Sequence, residues 1–207
     1  IIQSIVPANV TIAYIRQPKP LGLGDAVLRA QPLIGNRPFA VLLADDLMER
    51  SHAACLQEMI RLYQQQQTSV IAVQEVAYED TDKYGIVSIQ SDVAGDRITA
   101  IVEKPLPATA PSRLAVTGRY ILTPRIFSLL ARTQQGVGGE IQLTDAISML
   151  LQEQTVYCSY IRGKRYDCGS CQGFLEATVD FALQRPELRE QMQHFLQVKV
   201  NEMMLMD

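Results

Sequence analysis

The feature that most constrains the fold is an apolar run, Phe39 to Ala44, that ends directly in two carboxylates, Asp45 and Asp46. A short apolar run of this kind predicts a fully apolar strand. Such a strand carries the two aspartates to the carboxyl edge of a parallel sheet, where ligands of open α/β folds bind. Carboxylates in that position suit Mg²⁺, which takes oxygen ligands and bridges to substrate phosphates. The alternative is an aspartate that caps a helix or closes a turn.

Strand and helix patterns alternate along the rest of the chain. Runs rich in Val, Ile and Tyr predict strands over residues 10–15, 39–44, 69–76, 85–90, 97–103, 115–122 and 156–162. Helical spacing predicts helices over 51–66, after the capping residues Thr123 and Thr144, and over 171–184 and 187–197. The alternation indicates an α/β fold with a Rossmann-like mixed sheet, an antiparallel excursion over 85–122 and C-terminal helices. Residues 1–185 are predicted to form one domain, followed by a helix and tail over 186–207.

Composition and charge exclude several classes of protein. The 207 residues are 47% apolar and 20% charged, which is typical of a folded domain and not of a disordered chain. No apolar run approaches the ~20 residues of a membrane helix, and no secretory leader is visible. The formal net charge of −3 argues against a nucleic-acid partner, which requires a basic surface. An anionic small-molecule substrate remains compatible with this charge.

The four cysteines are too few to cross-link a chain of this length, so a reducing cytoplasm is the simplest location. Cys168 and Cys171 have the spacing of a redox pair or of half a zinc site. The only histidines, His52 and His194, are distant in sequence, and short motifs match readily by chance. Structural loop cysteines are therefore the favoured interpretation.

Two further segments carry groups that suit a phosphorylated sugar. Glu103 and Lys104 close a predicted strand, and both can face one ligand only if the chain kinks. Pro105 is expected to hold Lys104 extended and to end the strand, which favours a kink or a sheet edge there. An exposed ion pair at the strand end is the alternative. Asp167 lies in a glycine-containing turn and is of interest as a partner for Asp45. Three basic residues just before it could face a phosphate, but a solvated turn is the favoured interpretation; they are Arg162, Lys164 and Arg165.

Seven segments, taken in order, resemble the bacterial UTP–glucose-1-phosphate uridylyltransferases, or UDP-glucose pyrophosphorylases, of the sugar nucleotidyltransferase superfamily. They extend from about Val10 to about Leu183, and their number and order make the resemblance specific. The segments are Arg16–Gln17 with Leu21–Val27, Leu43–Asp46, Tyr84–Val87, Val102–Pro105, Val116–Tyr120, Gly139–Ala146 and Tyr166–Ser170.

The resemblance implies a reaction and a set of site residues. The phosphate of glucose 1-phosphate attacks the α-phosphorus of UTP, which releases pyrophosphate and forms UDP-glucose with Mg²⁺ as cofactor. The implied uracil contacts are Gln17 and Gly22, and the implied metal contacts are Asp45 and Asp167. The implied sugar contacts are Gly85, Glu103 and Val116, and Lys104 is implied to meet the sugar-linked phosphate. Asp45 and Lys104 would be the catalytic residues, and the protein would be a homo-oligomer.

The resemblance also implies parts that these residues do not contain. The family's N-terminal part has a strand, a loop with a Gly-Thr-Arg signature that cradles the triphosphate, and a second strand. No such loop can be quoted from the 207 residues, so the chain is expected to match the later two thirds of such an enzyme. We expect little activity from these residues alone, and unsatisfied edges on the predicted strand 10–15. Cys171 stands where the family more often has a basic residue, so no phosphate contact is assigned there.

Two other interpretations stay open at this point. Thymidylyltransferases and other sugar nucleotidyltransferases share the same sheet and differ in the base that they accept. A second alternative is a non-catalytic module that binds a sugar nucleotide or assembles with another protein.

Overall fold

The computed structural model describes residue 7, residues 9–49 and residues 54–205. The strands in these ranges are Phe39–Leu42 (β1), Asp46–Met48 (β2), Val70–Glu75 (β3), Gly85–Asp92 (β4), Gly95–Glu103 (β5), Leu114–Leu122 (β6), Tyr157–Tyr160 (β7) and Arg165–Asp167 (β8). The α-helices are Leu23–Arg29 (α1), Gln31–Ile34 (α2), Ala54–Gln66 (α3), Arg125–Leu130 (α4), Leu143–Leu150 (α5), Cys171–Gln184 (α6) and Pro186–Met204 (α7). Short 3₁₀ turns cover Tyr78–Lys83, Pro107–Thr109 and Val137–Gly139.

Six of these strands form one mixed sheet in the order β1-β6-β3-β7-β5-β4, and β2 pairs separately with β8. β3 and β7 pair in parallel, and β6 lies antiparallel between β1 and β3, so β1, β3 and β7 run in one direction. β4 pairs antiparallel with both β5 and β6. The predicted α/β fold, with its mixed sheet and antiparallel excursion over 85–122, is confirmed.

Apolar cores lie on both faces of the sheet. The larger core packs the sheet against α1, α4 and α5, and it includes Val73, Leu122 and Ile147. The smaller one lies under α3, where Met59 is fully buried against Val70. Burial on both faces explains why β3 is a continuous apolar run and does not alternate.

The β2–β8 pair lies just beyond the carboxyl ends of β1 and β7. β2 follows β1 after the turn 43–45, and β8 follows β7 after the turn 161–164. This pairing places Asp46 opposite Asp167. It was not predicted, because strands of three residues are too short to carry a recognisable pattern.

The predicted strand over 10–15 is wrong. Residues 10–16 belong to no helix or strand, and the side chains of Val10, Ile12 and Tyr14 are exposed. Apolar residues give this segment the composition of a strand, but a strand also needs a neighbour that pairs with its backbone. Among the described strands, none pairs with this segment.

The helices confirm most of the predicted bounds. Residues 51–53 of the predicted helix 51–66, with the predicted cap Ser51, lie outside the described residues, and α3 covers 54–66. α4 begins after Pro124 with no side-chain cap, and Thr144 lies inside α5 and not at its cap. α7 extends beyond the predicted 187–197 to Met204 and has no buried side chain. None of the described helices combines the length and hydropathy that crossing a bilayer requires.

Candidate functional site

Asp45 lies exposed in the turn between β1 and β2. Arg119 on β6 donates side-chain hydrogen bonds to three main-chain carbonyls around this turn, those of Leu43, Gly118 and Asp46. The Asp45 carbonyl accepts a 2.7 Å hydrogen bond from the N–H of Cys168. The Asp45 carboxylate is therefore carried on a backbone that is held from both sides.

Asp46 and Asp167 face each other across the β2–β8 ladder, where like charges repel. Arg165 lies between them: its guanidinium is 3.3 Å from Asp46 Oδ1 and 3.6 Å from Asp167 Oδ2, and its side chain is only 6% exposed. These contacts are ion pairs, and the Arg165–Asp46 contact lacks hydrogen-bond geometry. The hydroxyl of Tyr84 donates a 2.9 Å hydrogen bond to Asp167 Oδ2. The predicted solvated turn is therefore wrong for Arg165, which is buried at the site.

Asp45, Asp46 and Asp167 form a carboxylate cluster, and the pKa of Asp46 reflects the charges around it. Burial raises its pKa above the ordinary value; Arg165 opposes this effect, whereas the charges of Asp167 and Asp45 add to it. Room for this carboxylate depends on Gly118, which has a φ of 60°. A Cβ built there would lie 3.0 Å from Asp46 Cγ and closer still to Oδ2. Three carboxylates thus share one end of the sheet, where Arg165 and Arg119 offset part of their repulsion.

Asp45 and Asp167 converge on Gly169. A Cβ built on Gly169 would lie 3.1 Å from Asp167 Oδ1 and 3.5 Å from Asp45 Oδ2. Neither here nor elsewhere do the described residues contain a group of three or more His, Cys, Asp or Glu side chains that could hold a metal by themselves. Two carboxylates beside a glycine fit Mg²⁺, which usually binds one or two carboxylates and completes its shell with water and substrate phosphates.

A cavity of about 140 Å³ adjoins this cluster. It is well below the ~300–1,000 Å³ of pockets that enclose a drug-sized ligand, and it suits a single ring. Its lining residues are Leu23, Leu43, Asp46, Lys83, Tyr84, Gly85, Glu103, Val116, Gly118, Tyr120, Gln142, Leu143 and Thr144. Burial, with the nearby charges of Glu103 and Asp46, raises the pKa of the Tyr120 hydroxyl, so this group is neutral at pH 7.

Three of the predicted sugar contacts meet in this cavity. Gly85 pairs with Glu103 across β4–β5, and the Thr144 hydroxyl donates a 2.9 Å hydrogen bond to Glu103 Oε2. A Cβ on Gly85 would lie 2.9 Å from Thr144 Cγ2, 3.4 Å from Glu103 Oε2 and 3.8 Å from Val116 Cγ2. The structure therefore brings Gly85, Glu103 and Val116 together, and glycine at position 85 keeps the space between them open.

Lys104 lies at a sharp turn that follows β5. Its φ of 44° is left-handed, so the chain kinks here, but the extended conformation predicted for the residue before Pro105 is wrong. The Lys104 side chain is 50% exposed, and its Nζ lies 4.0 Å from Glu103 Oε1. The kink therefore allows consecutive residues to serve one site: Glu103 lines the cavity, and the ammonium of Lys104 stays beside that carboxylate.

Gln17 and Gly22 lie together at the start of α1, next to Leu23 in the cavity wall. Gln17 Nε2 donates hydrogen bonds to the Gly22 carbonyl at 3.2 Å and to Asp25 Oδ2 at 2.8 Å. Arg29 forms a 2.9 Å ion pair with Asp25 Oδ1. Because both partners of Nε2 are acceptors, the orientation of the Gln17 amide is set by this network.

Asp25 is 2% exposed, and replacing it should change the pH dependence of stability. Burial acts to raise its pKa, but hydrogen bonds from Arg29 and Gln17 and the charge of Arg29 outweigh it and hold the pKa below the ordinary 3.8. Such a carboxylate stabilises the folded state above pH 3.8, and this contribution is lost as pH falls through the folded pKa. Asp25→Asn should lower the free energy of unfolding at pH 7 by about 1–3 kcal/mol.

Urea unfolding at pH 7 and pH 3 measures this effect, with the exposed Asp82→Asn as a control for the loss of charge. The difference in the free energy of unfolding between wild type and Asp25→Asn should be smaller at pH 3 than at pH 7. An equal difference at both pH values contradicts the role of the Asp25 charge.

Several site residues were not predicted individually. Tyr84, Arg119 and Thr144 lie inside motifs that carry the family resemblance, so the motifs gave a signal without a role. Arg165 stood out only as part of a basic turn, and its ion pairs could not be predicted because its partners become neighbours only through the β2–β8 pairing. The four cysteines are free thiols, and burial raises the pKa of Cys168, which contributes to the site through its backbone N–H.

Comparison with known proteins agrees with this architecture. The sequence profile of the nucleotidyl transferase family matches residues 2–184. The UTP–glucose-1-phosphate uridylyltransferase of Pseudomonas aeruginosa is 49% identical over 172 residues, which is 81% of this chain and 61% of that protein. A UDP-glucose pyrophosphorylase complexed with UDP-glucose is 45% identical with a TM-score of 0.79, over 84% of this chain and 66% of the other. A UTP-bound UGPase from Acinetobacter baumannii is 40% identical with a TM-score of 0.84, over 95% and 68%.

The chain spans about three fifths of the length of the curated relatives that it matches. The profile match, over residues 2–184, includes the sheet, the three aspartates and the residues that line the cavity. On this basis the chain belongs to the nucleotidyl transferase family.

Proposed function

We propose that the protein forms UDP-glucose and pyrophosphate from UTP and glucose 1-phosphate. The observation that carries the proposal is the position of the Asp45–Asp167 pair beside a cavity of single-ring size. Asp46 connects the two, because it lines the cavity and faces Asp167 across the ladder. Relatives at 49% and 41% identity that are named UTP–glucose-1-phosphate uridylyltransferases support this assignment.

Glu103, Gly85 and Val116 are proposed to hold the glucose ring. The bond from Thr144 fixes the Glu103 carboxylate, whose remaining lone pairs can accept sugar hydroxyls. Gly85 allows a ring to approach the backbone, since a methyl group would fill the space that Thr144 and Glu103 border. Val116 offers an apolar surface for the C–H face of the ring.

Lys104 is proposed to bind the phosphate of glucose 1-phosphate. The reaction brings two anionic phosphate groups together, so its main requirements are alignment and neutralisation of charge. The backbone kink places the ammonium beside the carboxylate that is proposed to hold the sugar. A positive charge in this position lowers the repulsion between the reactants, and no covalent intermediate is required.

Asp45 and Asp167 are proposed to hold Mg²⁺, with Arg119 and the Cys168 N–H fixing the backbone around Asp45. When bound, Mg²⁺ would act as a Lewis acid that neutralises phosphate oxygens of the nucleotide.

Gln17 and Gly22 are proposed to contact the uracil. Asp25 and the Gly22 carbonyl orient the Gln17 amide before any base arrives, so little ordering is needed on binding. Leu23, the next residue, lines the sugar cavity, which is consistent with a nucleotide that continues into it.

Pyrophosphate release tests this function and both alternatives in one experiment. The protein expressed from the complete gene is assayed with glucose 1-phosphate and either UTP or dTTP, with and without Mg²⁺. We expect release that requires Mg²⁺ and is at least about 10-fold faster with UTP, a ratio that corresponds to about 1.4 kcal/mol. A polypeptide of the 207 residues alone is expected to show little release.

The other outcomes identify the alternatives. Preference for dTTP would indicate a thymidylyltransferase. Stabilisation by UDP-glucose against heat, without release from either nucleotide, would indicate a binding module and overturn the proposed activity.

We also infer a cytoplasmic location and self-association. The free state of the four cysteines supports the first. Exposed apolar side chains on α7, among them Phe195, Val198 and Met203, support the second, which light scattering after size exclusion measures.

A further inference from the structure

Tyr84 contacts both halves of the candidate site. Its hydroxyl donates a 2.9 Å hydrogen bond to Asp167 Oδ2, and its carbonyl accepts a 3.0 Å hydrogen bond from the N–H of Lys104. It also lines the cavity immediately before Gly85. One residue therefore connects the carboxylate that is proposed to face the metal with the lysine that is proposed to face the sugar phosphate.

The orientation of the Tyr84 ring is itself constrained. The guanidinium of Arg165 lies over the ring, 4.7 Å from its centroid, and Arg165 is buried between Asp46 and Asp167. The packed guanidinium and the hydroxyl hydrogen bond together hold the ring in one position. Asp167 Oδ2 is thus the oxygen that accepts the hydrogen bond from Tyr84. The other oxygen, Oδ1, accepts a hydrogen bond from the Gly169 N–H and lies on the side of Gly169 where the Asp45 carboxylate converges.

We propose that Tyr84 is a positioning residue that sets the Asp167 carboxylate, and so its metal-side oxygen, relative to Lys104. This inference rests on the proposed function. The hydroxyl acts by holding one carboxylate oxygen so that the other keeps its direction beside Gly169. Removing such a partner of a metal ligand typically lowers metal affinity or activity about 10- to 100-fold.

The two contacts of Tyr84 can be separated by one substitution. Tyr84→Phe removes the hydroxyl and leaves the ring under Arg165 and the carbonyl bonded to Lys104. The affinity for the metal should therefore fall, whereas KM for glucose 1-phosphate should not change.

Tyr166, on the same strand as Asp167, provides a matched control for Tyr84. It precedes Asp167 on β8, is buried, and donates a 2.7 Å hydrogen bond to Oδ2 of a different aspartate, Asp180 on α6. Tyr166→Phe removes the same atom and a similar hydrogen bond to a carboxylate. It should lower thermal stability about as much as Tyr84→Phe without altering the metal site.

The experiment compares wild type, Tyr84→Phe and Tyr166→Phe, each expressed from the complete gene. Mn²⁺ binding in the presence of UDP-glucose is followed by electron paramagnetic resonance, which does not depend on turnover. Tyr84→Phe should bind Mn²⁺ about 10-fold more weakly than wild type, and Tyr166→Phe should bind it within about twofold. In the steady state, Tyr84→Phe should need about 10-fold more Mg²⁺ for half-maximal rate, with KM for glucose 1-phosphate unchanged.

Equal Mn²⁺ affinity in the two variants would make the Tyr84 hydroxyl purely structural and overturn the inference, while the proposed function stands. A parallel rise in KM for glucose 1-phosphate would also overturn it, since the whole site would then be disturbed. Wild-type protein that binds neither Mn²⁺ nor UDP-glucose would refute the proposed function, and the inference with it.

Discussion

Replacing Lys104 with methionine is expected to lower kcat for UDP-glucose formation by about 100- to 1,000-fold, as removal of one group that stabilises developing charge usually does. Methionine keeps a side chain of similar length and the Cβ that strains the backbone at a φ of 44°. The free energy of unfolding should change by less than about 1 kcal/mol. The ion pair that is lost is long, with 4.0 Å between Lys104 Nζ and Glu103 Oε1, and the Lys104 side chain is half exposed. Steady-state kinetics and thermal unfolding of the protein expressed from the complete gene measure the two effects.

Lys104→Gly separates the ammonium from the backbone strain. A left-handed conformation costs about 1–2 kcal/mol for a residue with a Cβ. Glycine removes this cost but loses about 0.5–1 kcal/mol through the entropy of the unfolded chain. The glycine variant should therefore be as stable as wild type or slightly more so, and as inactive as Lys104→Met. Substantial activity in either variant contradicts a role for the ammonium.

Local patterns in the sequence were sufficient for most of the fold. The apolar run from Phe39 correctly predicted a strand that ends just before Asp45. That strand, β1, is an edge strand with alternating burial, so the run did not show where it lies in the sheet. Pro105 pointed to the end of β5 and a kink there, but proline favours an extended residue before it, so the left-handed φ of Lys104 could not be predicted. The sheet order could not be predicted in the same way, since it depends on which strands pair over long distances.

The predicted strand 10–15 shows the limit of such patterns. Its apolar residues indicate a capacity to pair, but the pairing itself requires a second strand with a free edge beside it. The described residues place no strand there. A pattern read from one segment cannot supply this condition.

The site residues also fall into those that the sequence could identify and those that only the fold brings together. Gly85, Glu103 and Val116 could be named from the family resemblance, and the structure places them in one cavity. The contacts of Tyr84 and Arg165 at the site could not be predicted, because they join residues that are distant in the sequence. The bond from Tyr84 to Asp167, for example, joins residues 83 positions apart.

Gly173 is the site of the second large expected effect, because α6 packs there against the backbone of Asp167. Ser170, the N-cap of α6, accepts a 3.0 Å hydrogen bond from the Gly173 N–H and donates one of 2.9 Å to the Asp167 carbonyl. A Cβ built on Gly173 would lie 2.8 Å from the Asp167 carbonyl carbon and closer still to its oxygen. These are main-chain atoms, which cannot rotate out of the way.

Gly173→Ala is therefore expected to destabilise the protein, although helix propensity alone favours alanine by about 1 kcal/mol. Overpacking costs about 1–3 kcal/mol, and contact with main-chain atoms places this position at the upper end. The net loss should be about 2 kcal/mol, or a fall in Tm of roughly 4–8 °C. Gln172→Ala, at the exposed neighbouring position, is the control and should change Tm by less than about 2 °C.

Because the displaced atoms carry Asp167, Gly173→Ala should also weaken Mn²⁺ binding in the presence of UDP-glucose, which a loss confined to the helix would not do. An alanine variant with wild-type stability and Mn²⁺ affinity would mean that α6 does not hold this aspartate in place. The position of Asp167 would then be set by the β2–β8 ladder and Tyr84 alone, and the first turn of α6 would have no part in forming the site.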